Sequence, residues 1–370
     1  MKKDTATRVG LFIVAAVWLI LAILCFLKMG NPTEFSTAER RKLASLPEVS
    51  AQSILNGKFM AEFETASLDQ FPFRDNFRTL KAIGAFYTLG KKDNNGIYLA
   101  DGYAAKIEYP LNENSVNAAA EKFHSLYDTY LKDSGCSVYL SVVPDKGYFL
   151  AEANGYPALD YAKLAETLRG GFPEATYIDL FGTLSLDDYF KTDTHWRQEK
   201  ITDAARTLSK AMGAAPLGDF TAVTTETPFY GVYYGQSALP LPAESICYIT
   251  NSTLENCTVT NVENGKTYTG TNDFEKLNSR DPYEMYLSGA AAVIYLENPN
   301  AEADRELVLF RDSFGSSMAP LLAEGYRKIT LVDTRYIAPE LLGNFVSFEN
   351  ADVLFLYSAL ILNQSSALRG

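Results

Sequence analysis

The sequence predicts an α/β protein: a parallel β-sheet flanked by helices, carrying a β-rich insertion and one N-terminal transmembrane helix. Three observations predict it. Between residues 114 and 357, short strand-like runs alternate with helical stretches. Those runs, among them AAVIYL (291–296), LVLF (307–310) and DVLFLY (352–357), are apolar on both faces, as strands of a covered parallel sheet are. Residues 10–27 carry no charge and are almost wholly apolar.

The apolar run is long enough, at ~1.5 Å per residue, to cross most of a bilayer core. Lys2, Lys3 and Arg8 precede it, and positive charge on that side keeps the N-terminus cytoplasmic and exports the chain beyond Lys28. A cleaved signal peptide is the competing reading. Against it, CFLKMGNP (25–32) lacks a small-x-small cleavage pattern, and Leu24 is a poor neighbour for a lipidated Cys25. The predicted organisation is a cytoplasmic N-terminus (1–9), an anchor (10–29), a polar stalk (30–56) and an extracytoplasmic domain (57–370). The localisation expected is the cell membrane, single-pass, with the C-terminal domain outside.

Formal charge is −12. The first 29 residues hold four basic residues against Asp4, a net of +3, so the remainder carries −15. Such an ectodomain argues against nucleic acid, and against binding anionic polymers by bulk charge. It permits a neutral or cationic substrate. Four cysteines are few for a disulfide scaffold. Cys25 lies in the anchor and Cys136 opens an apolar run. Cys247 and Cys257 flank CYITNSTLENC, two strand-like pieces about a polar turn, and can pair across it in an exported chain. No C-x-x-C and no His/Cys cluster of zinc spacing occurs, so neither a metal nor a cofactor is expected.

Along the chain, residues 54–80 read as helical, broken at Pro72 within FPFRDNF. NNGIYLADGY (94–103) has paired turn signals and suggests a hairpin. Residues 114–131 form an amphipathic helix, and 136–143 a buried strand that delivers Pro144, Asp145 and Lys146 to a loop. A helix at 161–168, a strand at 175–180 and a helix at 197–212, closed by Gly213, come next. Residues 215–275 are rich in threonine, tyrosine and turns and read as the β insertion. Strands at 291–296, 307–310, 328–333 and 352–357 then alternate with helices near 315–323 and 338–345.

Histidine narrows the chemistry, because there are two. His124 lies mid-helix and reads as an ordinary helix residue. His195, in KTDTHWRQEK, sits in a loop before a helix and is the candidate general base. Asp193 precedes it by two. In an extended segment both side chains share a face, where a carboxylate can accept the Nδ1–H and fix the tautomer. The alternative is that Asp193 or Thr194 caps the next helix. In ELVLFRDSFGSSM, a buried strand runs into Arg311, Asp312 and Ser313, then a helix. A serine at the carboxyl end of an α/β strand stands where such folds place ligands, near helix-start amides able to stabilise an oxyanion. An N-cap serine is the plainer reading. Lys146, Arg311 and Asp312 are further candidates for substrate or oxyanion contacts, with local structural pairing as the alternative. Asp193, His195 and Asp312 could also form a metal ligand set, a weaker reading with a single usable histidine.

KTDTHW, RDSFGSS, VVPDK, FPFRDNF and DPYEMYLSG (281–289) occur in the order and rough spacing of the DHHW family, which the chain resembles over about residues 35–360. That family is similar to the SGNH-hydrolase-like proteins of alginate and cellulose O-acetylation. The family's name motif here reads DTHW, with Thr194 in second place. The resemblance implies an SGNH-hydrolase-like sheet and a triad of Ser313 as nucleophile, His195 as base and Asp193 as orienter. It implies O-acetyl transfer to a surface or secreted polysaccharide, with a multi-pass membrane O-acyltransferase as acetyl donor. The same triad serves a polysaccharide O-acetylesterase, and a non-catalytic polysaccharide-binding or assembly protein is the reading from another class.

Overall fold

A computed structural model describes residues 2–215 and 218–369. Pro216 and Leu217, inside the expected β insertion, lie outside the described residues, as do Met1 and Gly370. By internal contacts the chain forms two units, 1–95 with 234–240, and 96–233 with 241–370.

The first unit begins with helix α1 (Lys2–Gly30), of which Thr7–Gly30 is long and apolar enough to cross a membrane. Phe35–Ser36 then pairs with Arg41–Lys42, ahead of a short helix at Ala51–Leu55 capped by Ser50, and of α2 (Lys58–Asp69) and α3 (Arg74–Ile83). Pro72 falls between α2 and α3, as its missing N–H requires. Residues 30–56 are fastened to α2. Arg41 donates to Asp69 at 2.8 Å, and Ala44 N–H donates to the same carboxylate at 2.9 Å. The Gln70 side chain holds both the N–H and the C=O of Thr33, at 2.8 and 2.9 Å.

The second unit opens with a hairpin, β1 (Ile97–Ala100) and β2 (Tyr103–Lys106), whose turn is Asp101-Gly102. Both turn residues have positive φ (50° and 82°), the conformation an Asp-Gly pair accepts in a tight hairpin. Its other strands are β3 (Ser137–Val143), β4 (Thr176–Tyr177), β5 (Thr221–Phe229), β6 (Glu244–Thr250), β7 (Thr258–Asn261), β8 (Thr267–Thr269), β9 (Val293–Glu297), β10 (Glu306–Arg311), β11 (Lys328–Val332) and β12 (Asp352–Ser358). Its principal helices are α4 (Glu113–Leu126), α5 (Tyr161–Gly171), α6 (Thr202–Met212) and α7 (Phe314–Leu322).

An eight-stranded sheet runs in the order β8-β7-β9-β11-β10-β12-β3-β4. The stretch from β11 to β4 is parallel, while β9, β7 and β8 add antiparallel to one edge. Part of the 215–275 segment thus extends the main sheet, and β5 and β6 pair separately. The run at 338–345 is a 3₁₀ helix, Pro339–Asn344, and the strand at 175–180 shortens to the two residues of β4.

Alternation within each central strand decides the layers. Leu307, Leu309, Leu354 and Leu356 face one side and pack with Ala204, Ala205 and Leu208 of α6 and Met318 and Leu321 of α7. Val308, Phe310, Val353 and Phe355 face the other and pack with Val116, Ala120 and Phe123 of α4 and Leu164 of α5. Each buried Leu, Val or Phe here contributes roughly 1.5–3 kcal/mol. The central strand β10 has β11 on one side and β12 on the other, so the chain reverses direction across the sheet at its carboxyl end. That is where open α/β sheets leave a crevice.

Candidate active site

Three sequence-predicted residues meet at that end of the sheet. Ser313 lies two residues beyond β10, at the start of α7. Its hydroxyl makes no cap hydrogen bond to the helix. Instead Ser313 Oγ lies 2.7 Å from His195 Nε2. His195 Nδ1 lies 2.6 Å from Asp193 Oδ1. A carboxylate can only accept, so Nδ1 carries the proton and Nε2 faces the serine with its lone pair. Asp193 and His195 are buried while Ser313 stays half-buried, so the hydroxyl is the open end of the chain of bonds. Asp193 and Thr194 cap no helix: the next turn, Gln198–Lys200, begins at Arg197.

The Asp193 carboxylate is held on several sides. Oδ1 also accepts from His195 N–H at 3.1 Å, and Oδ2 from Val232 N–H at 2.7 Å. Val232 arrives because Gly231 lets two backbones nearly touch. A Cβ there would sit 2.2 Å from Thr192 O and 2.4 Å from Asp193 N. Glu244, at the start of β6, accepts from Lys191 N–H and Thr192 N–H at 2.7 Å each and from Thr192 Oγ1 at 2.6 Å. Tyr233 N–H donates to Thr192 O at 3.0 Å. The start of β6 and the chain that leaves β5 therefore supply the cradle of the DTHW loop. Sequence reasoning passed over Gly231, Val232 and Glu244, because no local pattern ties them to a loop so far back in the chain.

A second wall is aromatic. The Tyr283 ring stacks on the His195 ring with centroids 3.9 Å apart and planes 12° apart. Tyr283 Oη is 2.7 Å from Ser317 Oγ, which also accepts from Trp196 Nε1 at 2.8 Å. The DPYEMYLSG segment thereby gains a role: Asp281 accepts from Tyr283 N–H at 3.0 Å and sets the ring behind the imidazole. Burial pushes the Tyr283 hydroxyl well above its usual range, keeping it neutral.

Lys146, Arg311 and Asp312, the further candidates for substrate or oxyanion contacts, are buried and bonded to protein partners. Lys146 is buried, and its ammonium donates to Phe190 O at 2.8 Å and Lys191 O at 3.1 Å. It pins the segment that leads into Asp193. Burial pushes it down to about 7, against the opposing pull of Asp193, Glu244 and Asp145. Arg311 pairs with Asp333 at 3.6 Å and donates to Gly289 O at 3.1 Å. Asp312 accepts from Phe314 N–H at 3.0 Å and Ser358 N–H at 2.8 Å, joining the carboxyl ends of β10 and β12. With its carboxylate so used, Asp312 does not complete a ligand set with Asp193 and His195. The helix-start amides differ from expectation too. Phe314 N–H goes to the Asp312 side chain, Gly315 N–H to Asp312 O at 3.2 Å and Ser316 N–H to Ser313 O at 3.2 Å.

Cys247 and Cys257 are free thiols, so the expected bridge is not formed. Cys247 lies on β6 and contacts Thr224 Oγ1 at 3.2 Å. Cys257 precedes β7 of the main sheet and is buried in its core. The helix Ser252–Asn256 separates them, where a hairpin turn was expected. His124, on α4, lies 3.4 Å from Asp128 and 3.3 Å from Glu174, as an ordinary helix residue does.

No family model matches the chain. Among solved structures, the crystal structure of a DHHW family protein from Eubacterium siraeum superposes with a TM-score of 0.61 at 18% identity, covering 74% of this chain and 94% of that one. The fold is that of a DHHW family protein. Bacillus cereus PatB1, solved with a sulfonyl adduct, superposes with a TM-score of 0.57 at 17% identity over 74% of this chain and 97% of its own. The α/β architecture expected from the sequence, a largely parallel sheet flanked by helices, is therefore present. Among curated proteins, purpurin of Gallus gallus is 28% identical over 148 residues, 40% of this chain and 64% of purpurin. The chain spans less than two thirds of that relative's length, and the match assigns no family.

Proposed function

We propose that this protein is an extracytoplasmic O-acetyltransferase that modifies a cell-surface or secreted polysaccharide through Ser313, His195 and Asp193. The observation that carries the reading is the bonded series from Asp193 through His195 to a half-buried serine at the carboxyl end of the central strand. In the proposed reaction Ser313 Oγ attacks the carbonyl carbon of an acetyl donor while His195 Nε2 takes its proton. Asp193 stabilises the imidazolium. The tetrahedral intermediate collapses, the donor's leaving group departs with the proton from Nε2, and acetyl-Ser313 remains. A sugar hydroxyl then gives its proton to Nε2 and takes the acetyl group, restoring the serine.

The acetyl group and the polysaccharide come from the resemblance of the DTHW and RDSFGSS motifs to the DHHW family and its O-acetylation relatives. Acetyl-coenzyme A is cytoplasmic, so an exported transferase needs acetyl carried across the membrane. The proposed partner is a multi-pass membrane O-acyltransferase. An uncleaved α1, oriented by Lys2, Lys3 and Arg8, would hold the enzyme beside it. With water in place of sugar as acceptor, the same steps make a polysaccharide O-acetylesterase.

The test is hydrolysis of a chromogenic acetyl ester by the full chain in detergent, beside Ser313→Ala, with intact mass measured after a sulfonyl fluoride. Turnover lost in the variant, and one sulfonyl group added only when Ser313 is present, are the expected results. Undiminished turnover by Ser313→Ala would sink the assignment. Oligosaccharide acceptors then separate transfer from hydrolysis.

A further inference from the structure

Helix α3 is amphipathic in the reverse sense. Its cationic side faces inward: Arg74 pairs with Glu39 and Asp69, and Arg78 donates to Gly235 O at 2.9 Å and pairs with Glu39 at 3.1 Å. Its apolar side faces out. Phe73, Phe77 and Leu80, at i, i+4 and i+7, are 64%, 46% and 65% exposed. Leu68 before the helix and Tyr87 and Leu89 after it are also exposed. Phe73 holds a left-handed backbone (φ 58°), an uncommon state for a bulky residue, while presenting its ring outward. Such a face calls for a cover.

The position of this face says what covers it. Gln70, four residues before Arg74, grips Thr33 by both its N–H and its C=O. Thr33 lies three residues beyond Gly30, the end of the apolar helix, and three residues reach about 10 Å at most. The start of α3 is thus fastened to the point where the chain leaves α1. Lys81, Lys91 and Lys92 are exposed on the same unit, and lysines of this kind are attracted to lipid phosphates.

We infer that the α3 face formed by Phe73, Phe77 and Leu80 docks into the interface of the bilayer that α1 spans, so that the chain rests on the membrane through a second, monotopic contact. The chain as a whole is acidic, so the apolar side chains and not bulk charge supply the attraction. The inference rests on α1 being inserted, and the experiment reads the two separately.

The full chain is reconstituted in phosphatidylcholine vesicles doped with lipids brominated either near the acyl-chain start or near the bilayer centre. Native Trp18 reports α1, since Trp196 is buried in the fold. Trp18→Phe then serves as the parent for Phe77→Trp and, separately, Leu80→Trp, whose emission is read as the difference from that parent. Quenching of Trp18 by the deep-brominated lipid, and of the introduced tryptophans by the shallow one, is expected. Quenched Trp18 with unquenched tryptophans at both α3 positions overturns the docking. If their emission is also shifted to the blue, a protein surface covers the face instead. Unquenched Trp18 overturns the anchor and the docking with it.

Discussion

The imidazole of His195 and the phenol ring of Tyr283 lie face to face, 3.9 Å between centroids, with Ser313 at the ring's Nε2 and Asp193 at its Nδ1. Three contacts from three chain segments thus hold one ring in position and plane. Tyr283→Phe keeps the stack and gives up only the bond to Ser317. Its turnover should stay within about 10-fold of the parent. Tyr283→Ala and Tyr283→Leu remove the stack, and turnover should fall by ~100-fold through misplacement of the ring. Steady-state kinetics on an acetyl ester, with thermal melts to verify folding, checks this. Equal effects of Phe and Leu would refute a role for the stack.

Asp193 offers a cleaner separation of orientation from packing. Asp193→Asn preserves shape, but an amide can present its N–H₂ to Nδ1 and turn the imidazole to the wrong tautomer. Turnover should fall by about 10⁴-fold, as for the equivalent change in serine hydrolases. Sulfonylation of Ser313, monitored by mass, should slow with it. A loss under about 10-fold would mean that the carboxylate is only structural.

Gly231, two residues beyond the end of β5, is where the chain leaving that strand meets the DTHW loop. Gly231→Ala places a methyl 2.2 Å from Thr192 O and 2.4 Å from Asp193 N, against backbone with no flexible side chain to yield. The loop must shift, taking Asp193 and Val232 apart. A displacement of about 1 Å costs on the order of 100-fold in rate. Activity should fall by that order, with thermal melts verifying that the variant still folds. Retained activity would show that the loop relaxes freely.

Stability should depend on pH through Asp145. Burial pushes its carboxyl from the ordinary 3.8 up to about 6, with the Tyr161 hydroxyl bond and the Lys146 charge opposing. The folded protein keeps a proton between those values that the unfolded chain releases. The stabilisation from this group is full below about pH 4 and is lost as pH rises through about 6. The melting temperature of the native protein relative to Asp145→Asn should therefore decline across that window. Parallel curves for the two proteins would contradict it.

Much of this molecule is legible within short windows of sequence. The uncharged run at 10–27, the break at Pro72, the Asp-Gly turn and the strands at 307–310 and 352–357 arise from local hydropathy and backbone chemistry, which act over a few residues. The same holds for Asp193 and His195, since i and i+2 share a face of an extended segment. That Ser313 abandons its helix cap for His195, 118 residues away, is a property of the sheet order. Tertiary structure alone decided that Lys146, Arg311 and Asp312 bond to backbone and neighbours, because their partners come from distant strands and loops. It also decided that the 215–275 segment splits, β7 and β8 extending the sheet while the start of β6 and the chain that leaves β5 cradle the DTHW loop, and that Cys247 and Cys257 stay apart. Residue type and periodicity set what each segment can be; which segments meet is set by packing over long separations, where no local pattern records the partner.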